Sequence, residues 1–125
     1  MQTKVTAYDS TLRDGAQAQG VSFTVEDKLK IVAQLDALGV GYIEAGNPGS
    51  NPKDLEFFKR AAELKLQHAK IIAFGSTRRI GIQAADDNNL RSLLSANTQA
   101  VAIFGKSWDY QVTDILRTTL AENLA

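Results

Sequence analysis

The chain has 125 residues, of which 44% are hydrophobic, and its 14 basic residues balance 14 acidic ones. This length fits one domain with its own core. The balance excludes a strongly basic protein, and with it the usual basis for binding nucleic acid or an anionic membrane. Cysteine is absent, which excludes disulfides and thiolate metal sites. We expect a cytoplasmic protein, because the first residues are typical of a strand rather than an apolar signal segment.

The first strand–helix unit is predicted from a short apolar strand at residues 4–8 and a helix that follows Thr24. Thr24 and Asp27 have a spacing that resembles a capping box. Gly39 is placed to end the helix in a left-handed conformation. Apolar residues at helical spacing predict the buried face of this helix: Leu29, Val32, Leu35 and Leu38.

The second unit is predicted from a strand at residues 40–45 and a helix that begins at Asn51 and Pro52, a typical cap and first-turn pair. We expect four residues on the inner face of this helix: Leu55, Phe58, Ala62 and Leu66.

The third and fourth units repeat the pattern. Strands are predicted at residues 70–74 and 100–104, and helices at residues 86–95 and 108–124. The predicted apolar positions of the two helices are Leu90, Leu93 and Leu94 in the first, and Val112, Ile115, Leu116 and Leu120 in the second.

Four strands that alternate with four helices predict an α/β fold with a parallel sheet. The strands are continuous apolar runs, which suits a sheet covered on both faces. An open doubly wound sheet and a closed barrel both fit this pattern. In every unit the strand is followed by a polar turn that contains glycine, and barrel enzymes build their active sites from these turns. An open sheet would instead place its site at one switch point. A complete barrel needs about 250 residues. We therefore interpret residues 1–125 as a partial barrel domain.

The densest group of reactive side chains follows the first strand, at residues 9–17, Asp-Ser-Thr-Leu-Arg-Asp-Gly-Ala-Gln. A polar loop with solvated charges is the simplest interpretation. The alternative is functional, because an Arg beside an Asp offers an oxygen ligand for a divalent metal and a fork for a carboxylate.

This nine-residue motif resembles the first-strand signature of the metal-dependent acyl-CoA condensing enzymes and lyases. That group includes 2-isopropylmalate, homocitrate and citramalate synthases and hydroxymethylglutaryl-CoA lyase. The segment at residues 42–48, Tyr-Ile-Glu-Ala-Gly-Asn-Pro, resembles the Glu-bearing second strand of the same group. Two further segments, at residues 74–79 and 105–109, are most similar to the citramalate synthase branch. The resemblance extends from about Tyr8 to the end of the chain, and it implies the N-terminal half of a TIM (β/α)8 barrel.

The resemblance also implies roles for four residues. Asp14 is expected to bind a divalent metal, Mg²⁺ or Mn²⁺. Arg13 is expected to stabilise the alkoxide that forms when the carbanion of acetyl-CoA attacks a 2-oxo acid. Glu44 would hold Arg13 in place, and Gln17 would hydrogen-bond the substrate or a metal-bound water. The expected 2-oxo acid is pyruvate, which gives citramalate, or 2-oxoisovalerate, which gives 2-isopropylmalate.

The family's other metal ligands are a His-x-His pair on a later strand, and its general acid or base also belongs to later strands. This sequence has one histidine, His68, which we expect at a helix end on the surface. The metal site is therefore expected to be incomplete, and the fragment alone inactive.

Three other polar segments and several aromatic residues could also suggest a functional site. Gly-Lys-Ser at residues 105–107 lacks the leading glycine of a phosphate-binding loop, since Ala100 stands there. The Asp-Asp-Asn-Asn run at residues 86–89 suits a helix cap better than a calcium loop. Arg78 and Arg79 fit either an anion site or a solvated turn. Four aromatic residues are expected in the core: Phe57, Phe58, Trp108 and Tyr110.

Two rival interpretations remain at this stage. One is a carbon–carbon lyase similar to hydroxymethylglutaryl-CoA lyase. The other is a non-catalytic half-barrel that associates with itself, because its open sheet edges invite pairing. A dimer is also expected for the complete enzyme, with small-molecule substrates as its other partners.

Overall fold

A computed structural model describes residues 4–125, and residues 1–3 of the predicted domain lie outside this range. The strands form one parallel sheet in the order β1-β2-β3-β4. Their bounds are β1 Tyr8–Asp9, β2 Tyr42–Gly46, β3 Lys70–Ser76 and β4 Ala100–Phe104. The expected parallel sheet is thus confirmed. Because all four strands run the same way, their carboxyl ends meet at one edge, where barrel enzymes place their sites.

The helices alternate with the strands, and several predicted caps are present. Their bounds are α1 Val25–Ala37, α2 Pro52–Ala61, α3 Asn88–Ser95 and α4 Leu120–Leu124. Thr24 and Asp27 form a complete capping box at the start of α1. The Asn51 side chain accepts the backbone N–H of Asp54 at the start of α2. Gly39 has a φ of +87°, the left-handed conformation expected after α1.

The core lies between the sheet and helices α1, α2 and α3. Phe57 and Phe58 are buried there with an edge-to-face ring geometry and centroids 5.2 Å apart. Both had been expected in the core. Leu12, from the loop after β1, is fully buried in the same cluster. The core therefore reaches the loop that carries the reactive motif.

The inner face of α1 agrees with the prediction at Val32, which is buried, and at Leu29 and Leu35, which are partly buried against the core, but the prediction of Leu38 is wrong. The buried residues of α1 are Lys28, Val32 and Asp36, spaced by four, whereas Leu38 is 78% exposed. Leu38 is the C-cap residue, so the helical periodicity stops before it. Both charged residues have polar partners in the interior: Lys28 binds Asp54 of α2, and Asp36 accepts backbone N–H groups from the segment before β3.

Two other inner-face predictions were wrong in part. Ala62 is exposed because α2 ends at Ala61, and Ala62 is its C-cap. In α3, Leu93 is buried and Leu94 is 75% exposed. Adjacent helical residues point about 100° apart. Only one of the two leucines can therefore face the sheet.

The first strand is shorter than predicted. Pairing with β2 covers only Tyr8–Asp9, and Val5 is exposed. The carbonyl of Ala7 still accepts the backbone N–H groups of Gly41 and Tyr42, both at 3.1 Å. The predicted residues 4–8 thus reach the sheet only at their carboxyl end.

The single helix predicted at residues 108–124 is wrong. The segment forms a π-helical turn at Gln111–Ile115, and Arg117 then has a φ of +56°. Thr119 caps a separate α4 by accepting the backbone N–H of Glu122. Two successive β-branched threonines favour this break over continued helix.

Trp108 and Tyr110 are not in the core, contrary to expectation. Both are about half exposed, and their rings pack on each other with centroids 5.1 Å apart. Along residues 4–125, no helix has the length and apolar character to cross a membrane.

Candidate active site

The loop after β1 folds back over the sheet. The carbonyl of Ser10 accepts the backbone N–H groups of Arg13 and Asp14 at 3.2 and 2.8 Å. Buried Leu12 anchors the same turn in the core. The turn therefore brings the side chain of Arg13 to the carboxyl ends of the neighbouring strands.

Arg13 is held by groups from two of those strands. Its Nε donates to Oε1 of Glu44, and the Tyr8 hydroxyl donates to Oε2 of the same carboxylate. The guanidinium carbon of Arg13 lies 4.2 Å from the centre of the Phe74 ring, a cation–π contact. Only 4% of the Glu44 side chain is exposed, so this charge is paired away from water. The predicted Arg13–Glu44 pair is present.

The hydrogen bond between Tyr8 and Glu44 also affects the pKa of Tyr8. Burial, followed by the hydrogen bond to the Glu44 carboxylate, raises the pKa of Tyr8 to about 12. Tyr8 therefore keeps its proton at neutral pH and remains a hydrogen-bond donor to Glu44.

The two carboxylates of the reactive motif have different surroundings. Asp9 accepts the backbone N–H and the hydroxyl of Thr11 at 3.0 and 2.9 Å, so it stabilises the loop. The side chain of Asp14 is 65% exposed, and its Oδ1 lies 3.4 Å from Nη1 of Arg13. Asp14 thus keeps oxygen atoms available beside the Arg13 guanidinium.

A cavity of about 280 Å³ opens beside Arg13. Gln17, the predicted substrate-binding residue, lies on its wall, as does Phe74. The other polar lining residues come mainly from α1, the loop after β2 and the first turn of α2: Lys28, Asn47, Ser50, Asn51, Lys53 and Asp54. The site therefore combines a fixed cation with an accessible polar space large enough for a small carboxylic acid.

Metal ligands are incomplete in this part of the chain. Within residues 4–125, no three His, Cys, Asp or Glu side chains come together to hold a metal ion. His68 is exposed, as expected, but the prediction that it lies at a helix end is wrong, because α2 already ends at Ala61. His68 lies just before β3, where its backbone N–H donates to Asp36. The donor chemistry of Asp14 suits a hard cation, but the described residues do not supply a full ligand set.

A buried ion pair between α1 and α2, beside the loop after β2, was missed by sequence reasoning. Lys28 Nζ lies 2.7 Å from Oδ1 of Asp54 and donates to the carbonyl of Ala45 at 2.9 Å. The other carboxylate oxygen of Asp54 accepts the backbone N–H of Asn47 at 2.9 Å. The spacing of Lys28, Val32 and Asp36 on α1 was an available signal, because it places two charges on the buried stripe.

The segment after β3 is held by one ion pair and one carboxylate cap. Arg78 binds Glu122 of α4 at 2.7 Å, and this contact lowers the pKa of Glu122. Asp87 caps α3, as expected for this segment, and accepts the backbone N–H of Arg79 at 2.7 Å. Arg78 is therefore engaged within the chain and is not a free anion-binding group.

The segment before Gly105 is strand β4, so it does not form a loop around a phosphate. This agrees with the interpretation of the Gly-Lys-Ser run at residues 105–107.

The chain belongs to the HMGL-like family, whose model matches residues 4–125. Within this class it is similar to (R)-citramalate synthases at 52–53% identity. The protein of that name from Aquifex aeolicus is 53% identical over 124 residues, which cover 99% of this chain and 24% of the relative. The one from Geobacter sulfurreducens is 53% identical over 120 residues, 96% of this chain and 23% of the relative.

More distant relatives carry other names. A 2-isopropylmalate synthase from Listeria innocua is 34% identical over 122 residues, which cover 98% of this chain and 23% of the relative. The chain thus spans about a quarter of the length of the relatives it matches. The predicted family and its citramalate branch are confirmed.

A solved structure supports the fold. The crystal structure of the HMG-CoA lyase of Bacillus subtilis aligns with a TM-score of 0.66 at 21% identity, covering 97% of this chain and 39% of that one. The four parallel βα units therefore have the fold of the N-terminal half of a TIM (β/α)8 barrel.

Proposed function

We propose that this chain is part of an acyltransferase that condenses acetyl-CoA with a small 2-oxo acid, pyruvate first among the candidates. The domain would continue beyond the four units at residues 1–125 to complete the barrel. The (R)-citramalate synthases at 53% identity support this choice of substrate class.

The observation that carries the proposal is the Arg13–Glu44 pair beside the cavity. Arg13 is only 25% exposed and is fixed by Glu44 and Phe74, so its charge does not need to reorganise during a reaction. In the proposed reaction a general base from the rest of the barrel removes a proton from the methyl group of acetyl-CoA, and the resulting carbanion forms a bond to the keto carbon. The electron pair of the carbonyl π bond moves to the keto oxygen, which becomes an alkoxide and is then protonated. Arg13 would stabilise that oxygen, and water would then hydrolyse the thioester to release CoA.

Asp14 is the proposed metal ligand from this chain, with Mg²⁺ or Mn²⁺ as the ion. When bound, the ion would polarise the keto carbonyl as a Lewis acid. Gln17 lies on the cavity wall and is proposed to hydrogen-bond the substrate. Acetyl-CoA is the proposed second substrate.

Thiol release tests the proposal. The protein in which this chain is followed by the rest of the barrel, called here the extended protein, is incubated with acetyl-CoA, Mg²⁺ or Mn²⁺, and one 2-oxo acid. Pyruvate, 2-oxobutyrate, 2-oxoisovalerate and 2-oxoglutarate are compared. We expect metal-dependent CoA release with pyruvate. Release with none of the four would contradict the proposed function, and cleavage of hydroxymethylglutaryl-CoA instead would favour the lyase.

The chain alone is expected to release no CoA, because residues 4–125 supply one suitable carboxylate and no complete metal site. The chain contains no cysteine, so a thiol reagent detects only CoA in this control. Release by the chain alone would show that our account of the metal ligands is wrong.

A second candidate function is a self-associating half-barrel without activity, with a complete enzyme expected to be a dimer. The observation that favours self-association is the open edge of β4, where Val101, Ile103 and Phe104 are each 44–60% exposed. Sedimentation of the chain over a range of concentrations tests it. A dimer that dissociates when Ile103→Lys is introduced at the edge supports the candidate, and a monomer at all concentrations rejects it.

A further inference from the structure

We propose that the buried Lys28–Asp54 ion pair is a positioning device that fixes the carboxyl end of β2, and through it Glu44 and Arg13, for the reaction. This inference rests on the proposed function, since it names further residues on which the same site depends.

The pair holds the backbone immediately after Glu44. Lys28 Nζ binds the carbonyl of Ala45 at 2.9 Å, and Asp54 Oδ2 accepts the backbone N–H of Asn47 at 2.9 Å. The direct contact between Lys28 and Asp54 is 2.7 Å long. The two side chains thus hold the chain on either side of Gly46.

The sheet itself is irregular at this point. The register between β2 and β3 shifts between Glu44 and Gly46, so Ala45 lies in a bulge. Bulges interrupt the ladder of backbone hydrogen bonds and re-aim nearby side chains. Lys28 supplies a partner for the Ala45 carbonyl where the ladder is interrupted.

Gly46 shows how closely Asp54 approaches this bend. Its φ is +147°, and a Cβ added there would lie 2.6 Å from Oδ2 of Asp54. The close fit fixes the direction in which β2 enters its loop, and therefore the position of Glu44 at the strand end.

A contribution to stability is not enough to explain why Lys28 and Asp54 are both buried. Only 4% of the Lys28 side chain and 9% of the Asp54 side chain are exposed. Buried ion pairs can often be replaced by apolar residues without loss of stability, because desolvation offsets their attraction. Apolar residues cannot, however, hold one carbonyl and one N–H group at fixed positions. Hydrogen bonds of defined direction can therefore hold the end of β2, which carries Glu44, in one position.

The test replaces both charges at once, so that neither is left buried alone. Lys28→Met/Asp54→Leu is introduced into the extended protein, and Lys30→Met, an exposed lysine on the same helix, is the matched control. We measure kcat, the KM for the 2-oxo acid, the thermal midpoint, and the exchange rate of the Arg13 Nε–H proton by NMR.

The double variant is expected to stay folded while its kcat falls by about tenfold or more, because small displacements of a catalytic group are costly. KM should change less than kcat, and the Arg13 proton should exchange faster. Lys30→Met should match the parent protein. A folded double variant with parental kcat and parental proton exchange would overturn the proposal.

If the double variant does not fold, Asp54→Asn replaces it in the test. This variant keeps the shape of the side chain and removes one charge. It should lower kcat and speed the exchange of the Arg13 proton, and parental values for both would again overturn the proposal. A parent protein without CoA release would contradict the proposed function instead. In that case the proton exchange still tests whether the pair positions Arg13.

Discussion

Glu44 serves two partners that lie far away in sequence. Arg13 is 31 residues and Tyr8 is 36 residues from it, yet each binds one oxygen of its carboxylate. The family motif identified Arg13 and Glu44. Nothing in the local pattern of the sequence indicated Tyr8 or Phe74, because an apolar strand does not show which side chains face the site.

Glu44→Gln tests this arrangement in the chain itself. The change keeps the side-chain shape and removes the charge that Arg13 pairs with. We expect the free energy of unfolding to fall by about 2 kcal/mol, which urea titration measures.

The same variant should lower the pKa of Tyr8 below its value of about 12. The carboxylate charge and its hydrogen bond both favour the neutral phenol, so removing them favours the phenolate. The pKa should remain above 10, because burial, the largest cause, persists. NMR of tyrosine labelled at Cζ follows the titration, with Tyr8→Phe to assign the signal. An unchanged pKa would show that Glu44 does not bind Tyr8.

Asp36 connects α1 to the segment before β3. Its carboxylate accepts the backbone N–H groups of Gln67, His68 and Ala69 at 2.7–2.9 Å. These hydrogen bonds, of which the one from Gln67 has the largest effect, hold the pKa of Asp36 below its ordinary value. Its contribution to stability is therefore complete above about pH 4, the ordinary pKa, and is lost as pH falls through the folded-state pKa.

Asp36→Asn should reduce stability at pH 7 and make the loss of stability below pH 4 shallower. Urea titrations at pH 7 and pH 3 measure both effects. Glu63→Gln, at an exposed position, is the control and should leave both values nearly unchanged. An equally steep acid loss in Asp36→Asn would place the titrating group elsewhere.

The end of α3 depends on an unusual backbone conformation. Asn97 has a φ of +53°, and its N–H donates to the carbonyl of Leu94 at 3.1 Å. Left-handed backbone costs most residues 1–2 kcal/mol, and less for Asn and Gly. Asn97→Ala should therefore destabilise the chain by about 1 kcal/mol in urea titration, whereas Asn97→Gly should be tolerated. Equal stability of the Ala and Gly variants would contradict this reason for Asn.

Elements with strong end signals could be predicted from the sequence. The cap at Thr24 and the Asn51–Pro52 pair predict the starts of α1 and α2 correctly, and the predicted bounds of β4 are the observed ones. The break within the last predicted helix was missed because the apolar spacing continues past Arg117, where the backbone turns left-handed. Periodicity reports which residues are apolar, but not where a tertiary contact such as Arg78–Glu122 redirects the chain.

At the scale of the whole molecule, the parallel sheet collects the loops of four units at one edge. Carboxylates stabilise three of these loops: Asp9 after β1, Asp54 after β2 and Asp87 after β3. Each accepts a backbone N–H close to a strand end. These bonds fix backbone near three strand ends, and electrostatic stabilisation of a transition state requires groups that are held in place in this way.

The central claim is that the oriented charge of Arg13 at this edge serves the condensation reaction. The most direct test is the kcat of Arg13→Lys in the extended protein, with acetyl-CoA, pyruvate and Mg²⁺ or Mn²⁺. Lysine keeps the charge but loses the planar fork that reaches Glu44 through Nε. We predict a kcat at least about 100-fold lower in a folded variant, the size of effect seen when one oxyanion donor is removed. An unchanged kcat would contradict the assignment of Arg13.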